Sequence, residues 1–118
     1  MKRQKIILLF SFLCFSCSAQ ITNKQINKYV DAIYKSEGGA KAKYLYGIRS
    51  IKYKNPEEAR KICFNSVRNN YARWIKSGQT NEFIVFMGKR FCPIGANNDP
   101  KNLNSNWVKN VKYYYAKQ

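Results

Sequence analysis

Glu37 is the side chain in this sequence best placed to do acid–base chemistry. Only six Asp and Glu stand against 22 Lys and Arg in 118 residues, and His is absent. Proton transfer near neutral pH therefore falls to very few groups. Between Ile21 and Glu37 the apolar residues Ile26, Val30 and Ile33 recur at helical spacing. Glu37 comes eleven positions after Ile26, which at 100° per residue brings it to within about 20° of the same direction. The acid points where the apolar side chains point. A carboxylate at a helix C-terminus opposes the helix dipole by a few tenths to about 1 kcal/mol, and partial burial raises its pKa further. A raised carboxyl pKa is what a general acid needs. The ordinary alternative is a solvated Glu at a frayed helix end, or one paired with a nearby Lys.

The other five carboxylates have local explanations. Glu57, Glu58 and Glu82 fall in the first turns of expected helices, where negative charge is stabilising. Asp31 is about 140° around its helix from Ile26 and is expected to be solvated. Asp99 precedes Pro100 in a turn-like stretch. Without His, neither a zinc site nor a Cys/His or Ser/His pair is expected, and the sequence calls for no metal or cofactor.

The elements that must position Glu37 read as helices. Thr22 or Asn23 caps the first, which runs to Ser36 or Glu37 and stops at Gly38 and Gly39. From Ala40 to Lys54 the pattern fits either a short extended segment or a helical turn. Asn55, Pro56, Glu57 and Glu58 open a second helix, with Ala59, Ile62, Cys63, Val67, Tyr71, Trp74 and Ile75 on its apolar face, ending near Gly78. A third starts at Thr80 or Asn81 and carries Phe83, Ile84, Phe86 and Met87. Gly95 to Asn106 is Asn-rich loop composition. The last helix, Ser105 to Tyr115, presents Trp107, Val108, Val111 and Tyr114 or Tyr115. Trp74 and Trp107 read as core. The expected fold class is mainly α, with about four helices in one compact domain.

Residues 1–19 read as an export signal, with Lys2, Arg3 and Lys5 before the apolar run Ile6 to Phe15. Ala19 suits cleavage and free export to the periplasm or outside the cell, whereas Ser16 before Cys17 suits lipid attachment at Cys17. Residues 20–118 form one domain. Removing the three leader charges takes the net charge from +16 to +13, which favours anionic envelope surfaces, glycans or other polyanions. In an oxidising compartment Cys63 and Cys92 are expected to form one disulfide, a contribution of about 3 to 4 kcal/mol.

The run Ala32, Ile33, Tyr34, Lys35, Ser36, Glu37, Gly38, followed by Tyr46, Gly47 and Ile48, resembles the catalytic segment of lysozyme-like lytic transglycosylases. The similarity implies a lysozyme-like domain that acts on peptidoglycan glycan strands between MurNAc and GlcNAc. Glu37 would serve as the single acid and then base, giving a 1,6-anhydro product, whereas ordinary glycosidases pair two carboxylates. Many members have Ser after the acid, where this chain has Gly38. Many have Met and Gln after the Gly and aliphatic pair, where this chain has Arg49 and Ser50. The Ala, Tyr, Asn motif of their central helix is absent.

For substrate binding, Tyr46, Gly47 and Ile48 are candidates for the cleft wall, with Gly47 admitting a sugar close to the backbone. A plain turn with a buried Tyr is the alternative. Asn106 and Tyr114 are candidate sugar contacts, against capping and core roles. A hydrolytic lysozyme is the nearest rival reading. A non-catalytic cationic protein that binds envelope glycan, lipopolysaccharide or nucleic acid is the other, although no nucleic-acid motif is present and export argues against that partner. A monomer is expected.

Overall fold

The computed structural model describes residues 20–91 and 105–118. Among them the order is α1 (Asn23–Ser36), a 3-10 turn at Gly39–Lys41, a second 3-10 turn at Leu45–Gly47, α2 (Pro56–Lys76), α3 (Phe83–Phe91) and α4 (Ser105–Ala116). The chain is mainly helical and compact, and no strand occurs among the described residues. The stretch open between an extended piece and a helical turn thus resolves into two 3-10 turns.

Helix α1 starts where its local chemistry dictates. The Thr22 hydroxyl accepts the Gln25 N–H at 3.1 Å, and Gln25 Oε1 accepts the Thr22 N–H at 3.1 Å. Such a reciprocal cap is worth about 1 kcal/mol. Ile26, Val30 and Ile33 are fully buried along one face, against which α4 and then α2 pack. The helix closes when the Glu37 N–H donates to the Ile33 carbonyl at 3.0 Å. Gly38, at φ +106°, then turns the chain out of the helix in a conformation a Cβ would disfavour.

Asn55 caps α2 by accepting the Glu58 N–H at 2.8 Å, with Pro56 in the first turn. Ala59, Cys63 and Val67, spaced by four, are buried, as the sequence periodicity predicts. Asn70 is buried too, and its Nδ2 donates to the Ser66 carbonyl at 2.8 Å. Helix α3 begins at Phe83 rather than at Thr80 or Asn81. The indole of Trp74 donates to the Asn81 carbonyl at 2.8 Å, and Gln79 takes a positive φ of 56°, so the preceding segment is held back on α2 as a linker.

Gly88 sets how closely α3 and α4 approach. A Cβ there would lie 2.8 Å from Val108 Cγ2 and 3.3 Å from the Trp107 ring. Trp107 fills that space and stacks on Phe91 at 5.3 Å. Trp107 and Val111 are buried, Tyr113 is exposed, and Tyr115 stacks on Tyr29 at 4.4 Å. Cys63 is buried, whereas Cys92, Cys17, the leader and most of the Asn-rich segment lie outside the described residues.

Candidate active site

Glu37 is half-buried at the end of α1, and its carboxyl lies against the backbone of the second 3-10 turn. A Cβ on Gly47 would stand 2.8 Å from Glu37 Cδ and Oε2 and 3.1 Å from Oε1. Only a residue without a side chain lets the carboxyl rest there. The expectation that Gly47 leaves room for a sugar is therefore replaced by a different one: the acid itself occupies that space.

Two consecutive left-handed residues bring Gly47 under the acid. Tyr46 has φ +58° and ψ +16°, and Gly47 has φ +69°. The first is costly for a non-Gly residue, about 1 to 2 kcal/mol, so neighbours must hold it. Tyr46 is buried and packs on Tyr34 at 5.1 Å, while Leu45 donates its N–H to the Tyr53 hydroxyl at 2.9 Å. Arg60 donates to Asp31 at 2.8 Å and to Asn27 at 3.1 Å, tying α2 to α1, and its guanidinium also reaches the Tyr46 hydroxyl. Asp31, expected to be solvated, is instead this half-exposed ion-pair partner.

Burial pushes the Glu37 pKa above its ordinary value, and the Trp107 indole N–H and the charge of Arg49 pull it partly back. The indole is close enough to exert this effect but makes no hydrogen bond of regular geometry, and Nε1 is buried without a partner among the described residues. Trp107 is thus core, as expected, and also carries a polar atom at the acid. Sequence periodicity finds its buried face but not the direction of Nε1. Asp31 and Glu82 are paired with Arg60 and Lys112, and Glu57 and Glu58 sit in the first turn of α2.

A cleft of about 500 Å³ has Gly47 and Ile48 in its wall; Glu37 does not itself line it, and is linked to it through Gly47, on which its carboxyl rests. Apolar lining comes from Ile48, Ile51, Ile62 and Phe91, and polar lining from Asn65, Ser66 and Asn69 on α2. Arg49 and Arg90 add positive charge, and no Asp or Glu is among the lining residues. Of the residues read from the sequence, Gly47 meets both the acid and the cleft, and Ile48 lines the cleft. Tyr46 is buried behind the turn, Asn106 is exposed on α4, and Tyr114 is half-buried two turns beyond Trp107; these three do not line the cleft.

The Cys63 thiol is pushed up to about 12 by burial, which makes it a poor nucleophile as a free thiol. No group of residues suited to holding a metal ion occurs among the described residues, and no described helix is long and apolar enough to cross a membrane. No family model, curated protein or solved structure matches the chain.

Proposed function

We propose that the chain is a peptidoglycan-cleaving glycosidase of the lytic transglycosylase kind, with a lysozyme-like domain and Glu37 as its single acid and base. The observation that carries the reading is the seat of Glu37: a half-buried carboxyl held on Gly47, a residue that also lines a cleft, with its pKa raised by burial. Protonated Glu37 gives its proton to the glycosidic oxygen as the bond from the sugar's anomeric carbon to that oxygen breaks. The carboxylate then takes the proton from the same sugar's 6-hydroxyl as that oxygen bonds to the anomeric carbon. One acid suffices, and the 1,6-anhydro ring closes without water.

The opposing effects on Glu37 suit both halves of the cycle. Burial keeps the proton available for the first step, and the Trp107 N–H with Arg49 stabilises the carboxylate that must act in the second. An inverting hydrolase would need a second carboxylate across the bond, whereas the proposed mechanism needs Glu37 alone. Export through the residue 1–19 leader, with or without a lipid at Cys17, belongs to the same proposal. So does a Cys63–Cys92 disulfide.

Mass spectrometry of purified peptidoglycan digested by the wild type and by Glu37→Gln tests the reading. Anhydro ends from the wild type alone support it. Reducing ends indicate a hydrolase, and a Glu37→Gln protein that clears peptidoglycan at the wild-type rate sinks the proposal. No cleavage by the wild type, with binding that falls steeply as salt rises, returns the cationic binding reading.

A further inference from the structure

The cleft that Gly47 lines carries charge as well as shape. Arg49 follows the second 3-10 turn, and Arg90 lies in the last turn of α3. Both are exposed, and both line the cleft. The chain has 16 Lys and only 6 Arg, so a cleft whose two cations are both Arg departs from the general basic surface. Guanidinium presents a planar fork that matches a carboxylate through two hydrogen bonds, whereas an ammonium acts as a point charge. The Arg49 guanidinium lies 5.3 Å from the centre of the exposed Tyr44 ring.

The rest of the lining suits a sugar. Ile48, Ile51 and Phe91 offer apolar surface for ring faces, and Asn65, Ser66 and Asn69 offer amides and a hydroxyl from one side of α2. Asn65 Oδ1 already accepts from Arg68 at 3.0 Å, which leaves its Nδ2 to donate. A neutral glycan could use all of these groups, and from the two arginines it would gain ordinary hydrogen bonds without the charge-assisted strength a carboxylate receives.

We propose that Arg49 and Arg90 make the cleft a site for a carboxylate-bearing glycan, in which they hold a carboxylate attached to a sugar next to the scissile bond. The inference rests on the glycosidase reading for its substrate but not for its measurement. In peptidoglycan such a carboxylate has two sources. It is the lactyl group of the muramyl sugar when the peptide is absent, and a stem-peptide carboxylate when the peptide is present.

Binding is measured by titration at 150 mM salt with Glu37→Gln protein, so that no turnover intervenes. Three oligosaccharides of equal length serve as probes: neutral chitooligosaccharide, peptidoglycan glycan with free lactyl carboxylates, and peptidoglycan glycan with stem peptides. At least one anionic glycan should bind about tenfold more tightly than the neutral one, the scale of one charge-assisted contact. Arg49→Gln and Arg90→Gln, made in the Glu37→Gln background, should each remove about three- to tenfold from that anionic binding and leave neutral binding unchanged. Lys24→Gln, at an exposed position on α1, should change neither and so controls for overall charge. The anionic probe that responds identifies the source of the carboxylate.

Equal binding of all three glycans overturns the proposal. So does binding of none of them, or loss in the arginine variants no greater than in Lys24→Gln. The two readings fail separately. A chain that cleaves peptidoglycan without preferring the anionic probes refutes the cleft assignment alone, and one that prefers them without cleaving refutes the enzyme.

Discussion

Substitution of Gly47 by Ala separates the seat of the acid from the stability of the turn. The new Cβ would stand 2.8 Å from Glu37 Cδ and Oε2, so with ordinary contact beginning near 3.4 Å the carboxyl must retreat by about 0.6 Å. The atoms that must move are the far end of a flexible side chain, so the collision itself costs little stability. What remains is the positive φ of +69°, a backbone cost of about 1 kcal/mol for Ala against Gly. With Glu37 as the proposed acid, catalysis is less forgiving. A displacement approaching 1 Å at a reacting group costs on the order of 100-fold.

Gly78→Ala is the control, because Gly78 also has a positive φ, +92°, but a Cβ there meets nothing within 4 Å. Both variants should lose about 1 kcal/mol in urea unfolding. Only Gly47→Ala should lose activity, by roughly 10- to 100-fold in kcat, measured as release of soluble anhydro-muropeptides. The carboxyl 13C shift of Glu37, followed through a pH titration, should also move in Gly47→Ala and stay in place in Gly78→Ala. Wild-type turnover together with an unchanged Glu37 titration in Gly47→Ala would refute the seat. Equal losses of activity in the two variants would refute the argument that contact, not backbone, is what matters.

Three further outcomes follow from the same geometry. The folded-state pKa of Glu37 is raised above its ordinary 4.5, so the stability this group contributes is fully present below about pH 4.5 and is lost as pH rises through the raised value. The stability of Glu37→Gln relative to wild type should therefore increase from pH 4 to pH 8, and a flat difference in urea midpoints contradicts the burial of the acid. Trp107→Phe keeps a ring on Phe91 but removes the N–H that favours the carboxylate, so the Glu37 titration and the basic limb of the activity profile should both move to higher pH. Gly88→Ala should destabilise the fold by about 1 to 3 kcal/mol, because its Cβ meets Val108 and the Trp107 ring at 2.8 and 3.3 Å, and denaturant unfolding reads this directly.

What was legible in the sequence was local. Thr22 and Asn55 cap their helices through side chains three positions from the groups they satisfy, and Ala59, Cys63 and Val67 follow from a repeat of four. The exposure of Glu37 toward the apolar side of α1 follows from the same periodicity, and its termination from Gly38. The missed features depend on contacts between distant parts of the chain. Asp31 and Arg60 are 29 positions apart, and nothing near Asp31 announces that partner. Trp107 is apolar by pattern, and the direction of its Nε1 is set by how α4 settles over Gly88. Gly47 is readable as a turn glycine, but that its missing side chain is replaced by the Glu37 carboxyl requires the docking of the turn on α1. Tyr46 is the hardest case, since no propensity favours a left-handed, buried tyrosine.

The strain at Tyr46 and the rarity of carboxylates in this chain bear on one another. A left-handed tyrosine persists only when its surroundings fix it more strongly than its own preference opposes it. Here the fixing groups are Tyr34 from α1 and the Arg60 guanidinium from α2, with Arg60 in turn held by Asp31 and Asn27. One of the few acids is thus used to orient the cation that acts on Tyr46. Were Asp31 free to pair elsewhere, Arg60 would lose its orientation and Tyr46 its hold, and Gly47 could relax away from Glu37. A carboxylate with raised pKa needs its neighbours to exclude water without supplying a full counter-charge. Asp31 is paired with Arg60 and Glu82 with Lys112, while at Glu37 burial is the largest effect and the Trp107 N–H and the charge of Arg49 offset it only in part. A pKa raised by burial in this way, against a basic surface that would by itself favour the carboxylate, is what the proposed single-acid mechanism calls for.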